Sequence, residues 1–134
     1  MSEIIVAGAG SGNESQLTHE VHEALMNSDV ILTSSRFRKL IPPDKRIIDL
    51  KDFDLSFNQL EHEHGNKLIL LSGDPCIYSL LPVIKKRFPN ENIRVLPGLS
   101  SLQILCAYAG ELWSDAVILS GHGRALRAGV FLNL

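Results

Sequence analysis

The stretch LILLSGDPCIYSLL, Leu68–Leu81, decides the fold. An unbroken apolar run, Leu68–Leu71, stops at Ser72-Gly73-Asp74-Pro75, and an apolar pattern at helical spacing follows at once. A run without apolar–polar alternation reads as a strand buried on both faces, the mark of a parallel sheet between layers of helix. Gly73 lets the backbone turn sharply and approach another group closely. Asp74 is expected to cap the following helix, with Pro75 at its first position, so that free N–H groups and the positive dipole end face outward. Such an end accepts a ligand carboxylate or ribose. The same residues also make an ordinary strand-to-helix turn with no ligand.

The same grammar repeats along the chain. Ile4–Ala7 reads as a short buried strand, followed by the loop GAGSG, Gly8–Gly12. Leu17, Val21, Ala24 and Leu25 fall at helical spacing, with Thr18 and the acids Glu14 and Glu20 near the start. Val30–Leu32 is a second strand, and SSRFRKLIPPD a short helix ended by Pro42-Pro43. Ile47–Leu50 is a third strand. Leu55–His64 reads as a polar, hence peripheral, helix. After the Leu68–Leu71 strand comes a helix over Tyr78–Phe88 with Pro82 in its first turn. Ile93–Leu96 is a fifth strand, stopped by Pro97-Gly98. Ser100–Ala109 is an apolar helix with Gly110 as its C-cap, and Val117–Leu119 reads as a last short strand. The expected fold is α/β, a doubly wound, mostly parallel five-stranded sheet with helices on both faces. Ligands of such sheets sit beyond the carboxyl ends of the strands. Gly8–Gly12, Ser72–Pro75 and Pro97–Ser101 all fall there.

Composition narrows the class. The chain has 134 residues, 45% apolar and 21% charged, which fits one globular domain. A net charge of −2 gives no basic field for nucleic acid. Cys76 and Cys106 both lie in apolar helical patterns, which points to reduced thiols and a cytoplasmic location. No apolar run reaches the roughly 20 residues a membrane helix needs, and EIIVAGAG carries no secretory signature.

Each loop invites a specific chemistry. Gly8, Gly10 and Gly12 suggest a dinucleotide turn, but the sixth position of that fingerprint is Asn13, and Asp29 precedes the second strand where an acid should end it. A glycine turn for close backbone approach, or a plain tight turn, remains. Ser100 or Ser101 is placed to cap the helix that follows, and either hydroxyl is placed to meet a polar ligand. No nucleophile elbow surrounds them. HEVH, His19–His22, is one residue short of the zinc motif, and EHEH, Glu61–His64, alternates on a polar segment; both read as solvated surface rather than metal sites. His122 and Arg124, in SGHGR, follow an apolar run on the ligand side. Arg124 there suits a carboxylate, or belongs to a solvated hinge.

Taken together, VAGAGSGNESQLT at Val6–Thr18, SDVILTSSRF at Ser28–Phe37, SGDPCIYS at Ser72–Ser79 and VLPGLSSLQ at Val95–Gln103 resemble the tetrapyrrole methylase family. These are S-adenosylmethionine-dependent methyltransferases of cobalamin and sirohaem synthesis. WSDAVILSGHGR, Trp113–Arg124, is similar to the branch that methylates carbon 5 of a precorrin. The resemblance implies S-adenosyl-L-methionine as cofactor, held by Gly10, Ser11, Gly73, Asp74, Ile77, Ser100 and Ser101. It implies a carboxylate-rich tetrapyrrole acceptor, with Arg36 and Arg124 as its contacts, no catalytic side chain and no metal. It implies a cytoplasmic homodimer and allows a C15-methyltransferase/decarboxylase partner. Ser11 stands where the family commonly has proline, and Cys76 and Ile77 where it has small or aromatic residues. Residues 1–124 correspond to the family's N-terminal α/β domain. Residues 125–134 read as a truncated or aberrant tail, with the second domain absent. Two other readings stand beside this one: a family member with another acceptor, and a non-catalytic domain.

Overall fold

The computed structural model of the protein describes residues 2–121. The chain forms two compact units, Met1–Ser101 and Leu102–Leu134. The expected boundary at 124/125 lies outside the described residues.

The first unit is built on five strands: β1 (Glu3–Gly8), β2 (Val30–Thr33), β3 (Arg46–Asp49), β4 (Lys67–Leu71) and β5 (Asn92–Leu96). They form one sheet in the order β3-β2-β4-β1-β5, and every pairing is parallel. Val6 lies between Ile69 of β4 and Val95 of β5. The helices are α1 (His19–Asn27), α2 (Phe53–Glu61) and α3 (Leu81–Arg87). Successive side chains of a strand point to opposite faces, and here both faces are covered. Leu68 and Leu70 of β4 join Val21, Ala24 and Leu25 of α1 in one core cluster. Ile69 and Leu71 join Phe57 and Leu60 of α2 and Ile84 of α3 in the other. Each of the Val, Leu, Ile and Phe side chains among them contributes about 1.5–3 kcal/mol on burial. The doubly wound parallel sheet expected from the apolar runs is therefore present.

Several local expectations change. The segment around Leu55–His64 is not peripheral: Phe57 and Leu60 are fully buried, and Phe57 meets Phe88 edge-on with ring centroids 5.8 Å apart. Two apolar residues three apart suffice to seat a helix whose other faces are polar. The helix expected from Tyr78 starts at Leu81, with Pro82 in its first turn. Proline has no N–H to donate and a fixed φ, so it sits at helix starts. The SSRFRKL helix is a 3₁₀ turn over Ser35–Leu40. Thr18 caps α1, its hydroxyl accepting the Val21 N–H at 3.1 Å, so Leu17 lies just ahead of the helix.

In the second unit, α4 (Ser101–Ala109) opens on the last residue of the first. It ends as expected at Gly110, with φ +68°. Gly110 N–H bonds the Ala107 carbonyl and Glu111 N–H the Cys106 carbonyl, a Schellman end. Val117–Leu119 is irregular rather than a strand. A three-residue apolar run carries no information about a pairing partner, and a strand exists only through its ladder.

Candidate functional site

Strand order gathers the three small-residue loops. β1 lies between β4 and β5, so the segments leaving Gly8, Leu71 and Leu96 emerge from adjacent strands at the same edge of the sheet. The chain leaves β1 toward β2 and β3, returns through β4, and crosses to the far side of β1 for β5. Such a reversal is where open α/β sheets leave a crevice at their carboxyl ends.

The loops touch through backbone. A Cβ added to Gly8 would stand 2.7 Å from the Gly98 nitrogen and 2.8 Å from its Cα, and closer still to the Gly73 carbonyl oxygen. Real side chains do not tolerate such contacts, so Gly8 and Gly98 are fixed as glycine by proximity. Gly10 and Gly73 form an antiparallel bridge, with N–H to carbonyl distances of 3.2 and 2.9 Å in the two directions. Both have left-handed φ, +60° and +62°, which glycine adopts without steric cost. Leu99 approaches Gly10 by its backbone, and the Ser100 Cα lies 3.8 Å from the Cβ position of Gly73.

This junction revises the expected donor inventory. The amides of Gly10 and Gly73 are bonded to each other's carbonyls, and the Gly98 amide to Asp74 Oδ1 at 3.0 Å. These three amides brace the rim and are not presented to a ligand. Asp74 is also not a helix cap: its Oδ2 accepts the Cys76 N–H at 2.9 Å, and Pro75–Leu80 intervene as a loop before α3. The dipole of α3 therefore does not act at the G-D-P turn, because dipole effects fade beyond the first turn.

Gly10, Ser11, Gly73, Asp74, Ile77 and Ser100 lie on the loops that leave β1, β4 and β5, and Ser101 opens α4 where the third loop ends. The Ser11 hydroxyl bonds the Gln16 side chain and accepts the Asn13 N–H at 3.2 Å. Asp74 and Ile77 are half-buried, Ser100 is buried, and Ser101 is exposed. Arg36 is exposed, its guanidinium carbon 4.5 Å from the centre of the Phe37 ring. That ring lies 3.1 Å from where a Cβ of Gly12 would stand, which links Arg36 to the glycine loop through Phe37. Arg124 and His122 lie outside the described residues. Three other basic side chains of this part of the chain are engaged elsewhere: Arg38 with Asp49 at 3.0 Å, Arg46 with Glu63, and Lys45 with the Met26 carbonyl. His19 meets Glu23 on the exposed face of α1, and His62 turns onto the Asn58 carbonyl.

The sequence reading missed Phe37, whose role is visible only once the turn after β2 is placed against Gly12 of the glycine loop. It also missed Tyr78, whose φ of +43° has no signature in residue type.

Residues 3–130 match the family model for Tetrapyrrole (Corrin/Porphyrin) Methylases. The chain is 32% identical to the probable cobalt-precorrin-7 C(5)-methyltransferase of Methanocaldococcus jannaschii over 98% of its own length, and spans 65% of that relative. Its fold superposes on the methyltransferase CobJ with a TM-score of 0.77 at 20% identity, covering 98% of this chain and 61% of the other. A uroporphyrin-III C-methyl transferase from Thermus thermophilus, complexed with S-adenosyl homocysteine, matches with a TM-score of 0.61 at 22% identity, over 75% of this chain and 46% of that one. The family match runs through all three loops of the glycine junction, and on it the chain belongs to the tetrapyrrole methylases.

Proposed function

We propose that this chain is the donor-binding part of an S-adenosylmethionine-dependent methyltransferase of cobalamin biosynthesis that methylates carbon 5 of a precorrin. The observation that carries the proposal is the meeting of the glycine, G-D-P and P-G-L-S-S loops on one rim. The choice of carbon 5 is supported by the 32% identity to the archaeal relative.

The residues on the rim fit such a donor. Asp74 offers a half-buried carboxylate, Ile77 an apolar surface, Ser101 an exposed position, and Ser11 a hydroxyl already bonded to Gln16 that a ligand would share or displace. When bound, S-adenosylmethionine supplies a methyl carbon made electrophilic by its sulfonium. The chain's own residues bind, orient and exclude water. The Asp74–Gly98 bond fixes the spacing of two loops, so bound groups meet a preformed surface. Positioning of this kind lowers a barrier by up to about 7–11 kcal/mol in favourable intramolecular cases. Arg36 gives the rim a cation for an acceptor carboxylate. Arg124 is assigned the same role. A homodimer, a C15-methylating decarboxylase partner and a cytoplasmic setting belong to the same proposal.

Calorimetric titration with S-adenosylhomocysteine tests it. Saturable binding with one site per chain is expected. An absence of heat, together with an unchanged melting temperature at millimolar ligand, would sink the donor site.

A further inference from the structure

We propose that Tyr78, on the loop that follows the G-D-P turn, is an acceptor-contacting residue, held there by a strained backbone so that a conjugated face of the macrocycle stacks on its ring. The inference rests on the functional reading above and deepens it, since that reading gives the acceptor no aromatic contact.

Among the described residues, Tyr78 is the non-glycine residue with positive φ, at +43°. In that region the Cβ crowds the following carbonyl, and for a bulky side chain the conformation is a genuine outlier. Burial of the ring does not offset this, because Tyr78 is 49% exposed. Glycine would make the same bend without the penalty.

The backbone on both sides is pinned. Ile77 N–H bonds the Asp74 carbonyl at 3.2 Å. The Ser79 hydroxyl bonds the Pro75 carbonyl and accepts the Leu81 N–H at 3.1 Å. Leu80 and Leu81 pack against the core. Strain persists only where its surroundings over-determine it, and it gathers at ligand sites. Tyr78 follows Ile77 on the loop that leaves β4 at the crevice edge. An aromatic face suits offset stacking on a conjugated ring.

The test uses this chain, with uroporphyrin III as a carboxylated tetrapyrrole probe and S-adenosylhomocysteine as the donor-side control. Tyr78→Ala is expected to weaken porphyrin binding about tenfold, the scale of one stacking contact with its buried area. Tyr78→Phe should stay within about threefold, and the donor analogue within about twofold in both variants. Tyr78→Gly should share the porphyrin loss yet melt above Tyr78→Ala, because glycine accepts the φ. Unchanged porphyrin affinity in Tyr78→Ala overturns the inference and leaves the functional reading standing. So does an equal loss of both ligands, which would make Tyr78 merely structural. A parent chain that binds the donor analogue but no porphyrin overturns the acceptor contact alone. A parent that binds neither removes the functional reading, and this inference with it.

Discussion

Asp74 Oδ1 accepts the backbone N–H of Gly98 at 3.0 Å, and its Oδ2 accepts that of Cys76 at 2.9 Å. One carboxylate thus ties the loop after β4 to the loop after β5 and shapes its own turn. Gly98 is buried, so its amide has no water to fall back on. Asp74→Ala is expected to cost about 1–3 kcal/mol, the penalty for orphaning a buried donor, and to weaken the donor analogue beyond the fold's loss. Denaturation and calorimetry on one preparation check both. Equal analogue affinity in mutant and parent would leave Asp74 as a brace only.

Gly98→Ala and Gly110→Ala separate contact from conformation. A Cβ on Gly98 would strike the backbone of Gly8, 2.8 Å away at its Cα. A Cβ on Gly110 meets nothing within 4 Å, but φ there is +68°. Gly98→Ala should lose about 3 kcal/mol, the upper part of the range for overpacking. Gly110→Ala should lose about 1–2 kcal/mol, the left-handed penalty alone. Urea midpoints at constant slope give the comparison.

Ser101→Trp tests whether the third loop lines the ligand crevice. Ser101 is exposed, so stability should stay within about 0.5 kcal/mol, while binding of the donor analogue is lost to steric exclusion. Undiminished binding in a folded variant would put the ligand elsewhere.

Phe57→Ala probes the helix whose polar sequence hides its anchoring. Phe57 is 1% exposed and meets Phe88 edge-on. The variant should lose about 3–5 kcal/mol. Leu55→Ala, at a 65% exposed position of the same helix, should change stability by less than about 0.5 kcal/mol.

Glu61 gives a pH signature. The Arg87 guanidinium holds its carboxyl below the ordinary 4.5, first by hydrogen bond and then by charge. A lowered folded-state value means the stabilisation is complete above 4.5 and is lost as pH falls through the folded value. Glu61→Gln should therefore be slightly less stable than the parent at neutral pH and converge with it in acid. Both side chains are partly exposed, at 51% and 30%, so added salt should shrink the difference. A gap that persists at low pH would refute the assignment.

Apolar runs without alternation determined the layered parallel sheet, because a strand buried on both faces has no position for a polar residue. Local chemistry also determined the Gly110 end and the three loops at strand ends. These features depend on a few neighbouring residues, so neighbouring residues suffice to read them.

What the tertiary structure alone decided is everything that depends on strand order. Placing β1 between β4 and β5 brings Gly8, Gly73 and Gly98 into backbone contact although they are far apart in the chain. That contact turns amides expected to face a ligand into braces between loops, and turns Asp74 from a helix cap into a tie. The fold also sets Phe37 against Gly12. The reason is physical: a hydrogen-bonding group takes whichever partner the fold brings nearest, and residue type names the group but not the neighbour.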